Sequence, residues 1–266
     1  SDVYKRQDMN ITKYVCVDWK ALVDVIDALG GLDLDLTKEE VHWVNGYITE
    51  TANSIGYPCD ALKGEGRVHL NGVQAVSYSR IRYTSGDDFL RASRQRIVLQ
   101  AILEKCKGED IATLTSMCSS MMDDISTNFT VKEILALAKN VTKYQISSTT
   151  GFPYNVATKE LSGVGDTVIP IDLATDVVQL HKYLFEDESY TVSDTVQSIS
   201  DTVQKKTDVD SKTDIYDTTK YNNTAGSTGT EGAKKKNKDA QDALKKSQSE
   251  SENDSTTKSS SDDSDD

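Results

Sequence analysis

Residues 78–96 read YSRIRYTSGDDFLRASRQR and hold five arginines, Arg80, Arg82, Arg91, Arg94 and Arg96, and no lysine, in a chain whose formal net charge is −13. A solvated helix face interleaves acids with bases and uses lysine as readily as arginine. The bias therefore points to a task for the guanidinium group, which forks onto two oxygens at once and stays charged, whereas an ammonium is a mobile point charge. In extended backbone Arg80 and Arg82 share a face, because side chains alternate with period two. In a helix beginning near Asp88, Arg91 and Gln95 are four apart and share another face, above Val98 and Ile102. Donors from two neighbouring segments, Arg94 among them, would then meet at the mouth of an apolar region. Hydrogen bonds to charged groups contribute ~1.5–3 kcal/mol each, and clustered like charges repel unless an anion sits among them. The implied ligand is a multiply charged oxyanion, most simply a phosphate or pyrophosphate. A structural ion-pair network with Asp87, Asp88 and Glu104 is the competing reading. Of Asp87 and Asp88, one is a helix N-cap and the other a salt-bridge partner that orients Arg91, or Asp88 is a general base or metal-adjacent acid. Tyr78 and Tyr83 either line the pocket or belong to the core.

The elements that must carry these residues are legible upstream and downstream. TKYVCV is rich in β-formers and reads as a strand. Asp18 can cap a helix with Trp19, Leu22, Val23, Ile26 and Leu29 on its apolar face, stopped by Gly30 and Gly31. LDLDL alternates like a half-buried strand, and Thr37 with Glu40 forms a capping box for a helix to about Ile48. Gly64, Gly66 and the pair Asn71-Gly72 frame a loop before the helix VQAVSYS. IVLQAILEK is apolar around most of its circumference and predicts a deeply buried helix. Helices near 109–125 and 131–143 follow, the second opened by Thr130 and Glu133, then a loop with Gly151 and Pro153, a short VIP strand and the helix DLATDVVQLHKYLF. The succession is that of a layered αβα domain with a central mixed sheet. Its division is expected to be 1–7 as a non-native junction, 8–107 as the main α/β part, 108–200 as a helical completion and 201–266 as a disordered tail.

Composition bounds the function. Residues 201–266 carry fifteen acids and eleven lysines with almost no large apolar groups, too little to offset ordering costs of roughly 1–2 kcal/mol per residue. The acidic balance opposes nucleic-acid binding, which rests on Lys and Arg neutralising phosphates, and no helix-turn-helix pattern is present. Cys16, Cys59, Cys106 and Cys118 are widely spaced and lie in no metal-ligand spacing with His42, His69 or His181, so they are one or two disulfides or free thiols. No run of eighteen apolar residues and no signal-peptide pattern occurs.

The run NGVQAVSYSRIRYTSGDDFLRASRQRIVLQAI resembles the closing signature of the LytR-CpsA-Psr family, an NG-x-QAL-x-Y-x-R-x-RY turn followed by D-x-x-R-x-x-RQ and a buried helix. YVCVDWKALVDVIDALGGLDLDL is similar to that family's strand, helix, DALGG turn and strand, so the resemblance covers residues 8–105. It implies an envelope phosphotransferase that moves phosphate-linked glycopolymers, such as teichoic acid or capsule, from a polyprenyl pyrophosphate lipid to peptidoglycan at the outer face of the cell membrane. Under it Arg80, Arg82, Arg91 and Gln95 grip the pyrophosphate with Arg94 nearby, Asp88 holds Arg91, and the catalytic set is Arg82, Arg91 and Asp88. An apolar tunnel takes the polyprenyl chain. The family's N-terminal half supplies the membrane anchor, further strands and the residues that hold magnesium. None of these matches a segment here, so this stretch is expected to be a C-terminal portion that is inactive alone. The alternative is a non-catalytic module that binds anionic lipid or glycan and regulates envelope assembly.

Overall fold

The computed structural model describes residues 2–82, 87–121, 124–210, 212–214 and 216–218. Its first core is built around the strand LDLDL. β2 (Leu32–Leu36) buries Leu32, Leu34 and Leu36 and turns Asp33 and Asp35 outward, as period two requires. It pairs antiparallel with β3 (Gly66–Leu70), with Leu32 opposite Leu70 and Asp35 opposite Arg67. Helices α2 (Trp19–Ala28), α3 (Lys38–Ile55), α4 (Gly72–Arg80) and α5 (Asp87–Gly108) supply Val23, Ile26, Val44, Ile48, Val76, Tyr78 and Val98 to the same cluster.

Local chemistry sets the helix ends. Asp18 caps α2 by accepting from the Ala21 amide at 2.7 Å, and Thr37 with Glu40 forms the expected capping box of α3. Asn71 and Gln74 form a second box at the start of α4. Two glycines are dictated by close approach. A Cβ on Gly72 would lie 2.4 Å from the Val23 carbonyl oxygen, and one on Gly31, whose φ is +81°, would lie 2.6 Å from that of Leu70. These contacts let α4 and the β3 end press against α2 and the Gly-Gly turn. The antiparallel pairing of β2 and β3 follows from the connection. An α3 of 18 residues is about 27 Å long, and residues 56–65 run back along it, pinned where Asn45 bonds the Leu62 amide and carbonyl at 2.7 and 3.1 Å.

Around this core the chain adds β1 (Val15–Val17), paired antiparallel with β4 (Ile125–Thr127), and the helices α6 (Ile111–Ser120) and α7 (Val131–Ala138). A second unit follows, with β5 (Asn155–Leu161) central between β6 (Gly165–Pro170) and β7 (Tyr216–Asp217), and with α8 (Leu173–Phe185) and α9 (Asp194–Thr207). The α/β class holds. In place of one central mixed sheet, the described strands form three small antiparallel sheets.

Three expectations change. Residues 108–200 are not only helical, because β5 and β6 form a hairpin whose turn carries Gly163 at φ +79°. The body does not stop at 200: α9 runs to Thr207, Val209 is buried beside Ala157, Ile169 and Ile171, and Thr218 donates to the carbonyls of Pro153 and Tyr154. Residues 219–266 lie outside the described residues. The start of the chain is docked on the second unit. α1 (Asp2–Gln7) leads into Asp8, whose carboxylate accepts from the Tyr190 hydroxyl at 2.6 Å and from the Ser193 amide and hydroxyl at 2.9 and 2.7 Å. His181 stacks on Tyr190 and bonds the Gln7 carbonyl at 2.8 Å. Finally, α5 is half-buried, with Val98 inside and Leu99 58% exposed, because only one side of it meets the first core.

Candidate functional site

Helix α3 is the rail on which the arginine region is mounted. At its first turn Glu40 does two things at once. One carboxylate oxygen accepts from the Thr37 amide at 3.0 Å to close the capping box, and the other accepts from Arg94 Nε at 3.1 Å. Both side chains of this pair are sealed, 3% exposed for Arg94 and 11% for Glu40. Arg94 Nη1 also donates to the Ile81 carbonyl at 3.4 Å, and its guanidinium lies 5.9 Å from the centre of the Tyr78 ring. Glu39, buried next to it, has its carboxyl pushed up by burial, with the Glu40 charge adding and the Arg94 charge opposing. Burial also drives the Tyr78 hydroxyl well above its ordinary range, so it stays a neutral phenol.

Three turns further along α3 the pattern repeats with different exposure. Arg80, in the last turn of α4, donates from Nη1 to Thr51 Oγ1 and from Nη2 to Glu50 Oε1, both at 2.7 Å. Its guanidinium sits 3.7 Å from the centre of the Trp19 indole and 5.4 Å from that of the Tyr47 ring. The positive guanidinium is attracted to the negative face of an aromatic ring, so these contacts help hold the group where it is.

The structure places the expected residues as follows. Arg94 lies in the interior ion pair, and withdrawing it would leave Glu40 as a buried charge. It acts as a clasp, because its bond to Ile81 ties α5 to the residue between Arg80 and Arg82. Arg82 is exposed, Arg91 is half-buried, and Gln95, one turn on along α5, is exposed. Asp88 falls in the first turn of α5, but its side chain, like that of Asp87 and the whole of Tyr83, lies outside the described residues. Burial of Arg96 disfavours its charged form, with the Tyr183 hydroxyl group opposing.

Sequence reasoning missed Trp19, Tyr47, Glu50 and Thr51. It placed Trp19 on the apolar face of α2, yet as the first residue of that helix it is 42% exposed and turned toward Arg80. Tyr47 and Thr51 are four apart and so share a face of α3, which was a readable signal. That this face meets the end of α4 was not.

Among the described residues no group of three His, Cys, Asp or Glu side chains is arranged to hold a metal ion, so they give the magnesium implied by the family resemblance no coordination set. The four cysteines are free thiols, Cys16 exposed and the others half-buried. Among the described residues no helix is long and apolar enough to cross a membrane.

Arg80 is boxed by Trp19, Tyr47, Glu50 and Thr51 at the end of one helix, and Arg94 clasps a second helix that carries Arg91 and Gln95 to it, all on an α/β scaffold. The chain belongs to the LytR_cpsA_psr family, whose pattern it matches over residues 2–177. It is 30% identical over 142 residues to the polyisoprenyl-teichoic acid–peptidoglycan teichoic acid transferase TagU of Bacillus mycoides, covering 52% of this chain and 41% of that protein. To the enzyme of the same description named TagV, from Bacillus subtilis, it is 29% identical over 129 residues, covering 48% of this chain and 31% of that protein. The matches therefore span about a third to two fifths of the length of these relatives. Among solved structures, the protein gbs0355 from Streptococcus agalactiae shares the fold with a TM-score of 0.54 and 26% identity, over 72% of this chain and 63% of that one.

Proposed function

We propose that this chain carries the pyrophosphate-binding part of a phosphotransferase that moves a phosphate-linked glycopolymer, of teichoic acid or capsule type, from a polyprenyl pyrophosphate carrier to peptidoglycan. The single observation that carries the reading is the Arg94 clasp. By bonding the Ile81 carbonyl while sitting between Arg91 and Gln95 in α5, it holds the Arg80–Arg82 segment against the helix that bears those donors. The family membership and the printed activity of the TagU and TagV relatives support the same chemistry.

In this reading Arg80, Arg82 and Arg91 neutralise the diphosphate and Gln95 adds amide donors. Developing charge on the departing lipid phosphate is stabilised by groups already in place, the form of assistance that needs no reorganisation during the reaction. Asp88 orients Arg91. Magnesium, bound elsewhere in the protein, would share the neutralisation of the phosphates. The working location is the cell envelope, at the outer face of the membrane, with peptidoglycan as acceptor and a membrane anchor as part of the intact protein. Nucleic acid is not a partner.

The test is titration of a soluble isoprenoid pyrophosphate into the wild type and Arg91→Ala. Affinity is expected to fall well beyond tenfold, since a charge-assisted contact contributes ~1.5–3 kcal/mol. Equal affinity in the variant removes the pocket from this reading.

A further inference from the structure

The two anchors of Arg80 are unlike each other. Thr51 is fully buried, and its hydroxyl is committed: it donates to the Tyr47 carbonyl at 2.9 Å and accepts from Ser77 at 3.1 Å as well as from Arg80. Glu50, the next residue back along α3, has a side chain 62% exposed, while that of Arg80 is 12% exposed. The guanidinium lies 3.7 Å from the centre of the Trp19 indole and 5.4 Å from that of the Tyr47 ring, so aromatic surface crowds it on the side away from its hydrogen-bonding edge. At Nη2 that edge is taken by the Glu50 carboxylate, 2.7 Å away.

We propose, resting on the reading that this site takes a pyrophosphate, that Glu50 is a displaceable counter-ion. It satisfies the Nη2 edge of Arg80 in the free protein and gives way to a ligand phosphate oxygen, while Trp19, Tyr47 and Thr51 hold the guanidinium still through the exchange. No bond is made or broken beyond the hydrogen bonds, and the charge on Arg80 is balanced before and after. The physical basis is the inequality of the anchors. An exposed carboxylate on a flexible side chain regains water and rotamer freedom on leaving, so the pair is weak, whereas the buried hydroxyl has nowhere to go. Such a tether also selects. A carboxylate held next to its partner is present at high effective concentration, so a singly charged anion replaces it at no advantage. A diphosphate gains contacts with Arg82 and Arg91 as well, and displaces it. Glu50 is thus a specificity residue that keeps the site closed to small monoanions.

The experiment measures the affinity of inorganic pyrophosphate and, separately, of a soluble isoprenoid pyrophosphate for the full chain in four forms: wild type, Glu50→Gln, Arg80→Ala and the double variant. Arg80→Gln replaces Arg80→Ala should the alanine form melt early, because it keeps most of the side chain and removes the charge that Glu50 neutralises. Glu50→Gln is expected to tighten both ligands by about two- to fivefold, the scale of an exposed ion pair. The gain is expected to vanish when Arg80 is absent, which separates displacement at Arg80 from a general reduction in negative charge. Unchanged or weaker binding by Glu50→Gln, or a gain that persists without Arg80, overturns the proposal. Weaker binding in Arg80→Ala with no effect of Glu50→Gln overturns it and leaves the pyrophosphate site standing. Failure of the wild type to bind either ligand removes both.

Discussion

Two arginines meet two glutamates of the same helix, and the outcomes are opposite. At the first turn of α3, Arg94 and Glu40 are sealed from water; toward its other end, Arg80 and Glu50 share an edge with solvent. The sealed pair joins a capping box, a backbone carbonyl and the Tyr78 ring, and the strength of each contact depends on the exclusion of water. The open pair has one buried anchor, Thr51, and one exposed anchor, Glu50. Residue type alone does not separate a structural arginine from a ligand-binding one. In the proposed reading, what separates them is whether the carboxylate partner can return to water.

The largest effect is expected from cutting the sealed pair. Arg94→Ala strands the Glu40 charge in the interior and is expected to cost about 3–5 kcal/mol, read as a fall of roughly 10 °C or more in Tm. Adding Glu40→Gln to that variant removes the stranded charge, and part of the loss is expected to return. A fall no larger than that of Arg80→Ala would erase the distinction between the two ends of α3.

Next comes Gly72→Ala, which drives a methyl group against the Val23 carbonyl oxygen at the start of the helix that carries Arg80. Backbone there cannot give way cheaply, and a cost of about 1–3 kcal/mol by chemical denaturation is expected. Because the clash is local to α2 and α4, it would weaken pyrophosphate binding through Arg80 before the Arg94 end is disturbed.

The second unit offers a sealed carboxylate held by amides instead of a guanidinium. Asp176, 2% exposed, accepts from the Tyr154 amide at 3.3 Å, and burial, with the Asp172 charge adding and the Tyr154 and Asn155 amides opposing, pushes its pKa up to about 7. The folded state therefore binds this proton more tightly than the unfolded chain. Its contribution to stability is full below about pH 4 and is lost progressively as pH rises toward 7. Melting temperatures measured from pH 4 to 8 are expected to show that descending component in the wild type and to lack it in Asp176→Asn. Identical pH profiles would mean that the amides compensate the charge. The smallest effect on stability is expected from Glu50→Gln, under about 1 kcal/mol in Tm measurements, because an exposed pair contributes little.

Much of the scaffold was legible in the sequence because local rules governed it. Asp18, Thr37 with Glu40, Asn71-Gly72 and Thr130 with Glu133 all open helices where they stand, and LDLDL alternates as period two demands. The arginine stretch was legible as a chemical singularity, yet the partners that sort its members were not. Glu40 and Glu50 lie 54 and 30 residues from the arginines they meet, and neither spacing has a local signature. The hairpin β5–β6 was hidden for a related reason. Lys159 and Glu160 break its apolar pattern, and only the tertiary packing of Ala157 and Ile169 against Val203 and Val209 makes it a strand pair. The same distant contacts extend the body past residue 200, where composition alone read a tail.

The proposed division of labour gives Arg80 to a ligand and Arg94 to the fold. Calorimetric titration of a soluble isoprenoid pyrophosphate into the wild type and Arg80→Ala, with Tm recorded on the same samples, tests it most directly. An affinity loss of at least tenfold is expected, with stability lowered by no more than about 2 kcal/mol, the scale of a desolvated cation–π contact. Undiminished affinity in a well-folded Arg80→Ala protein would contradict it.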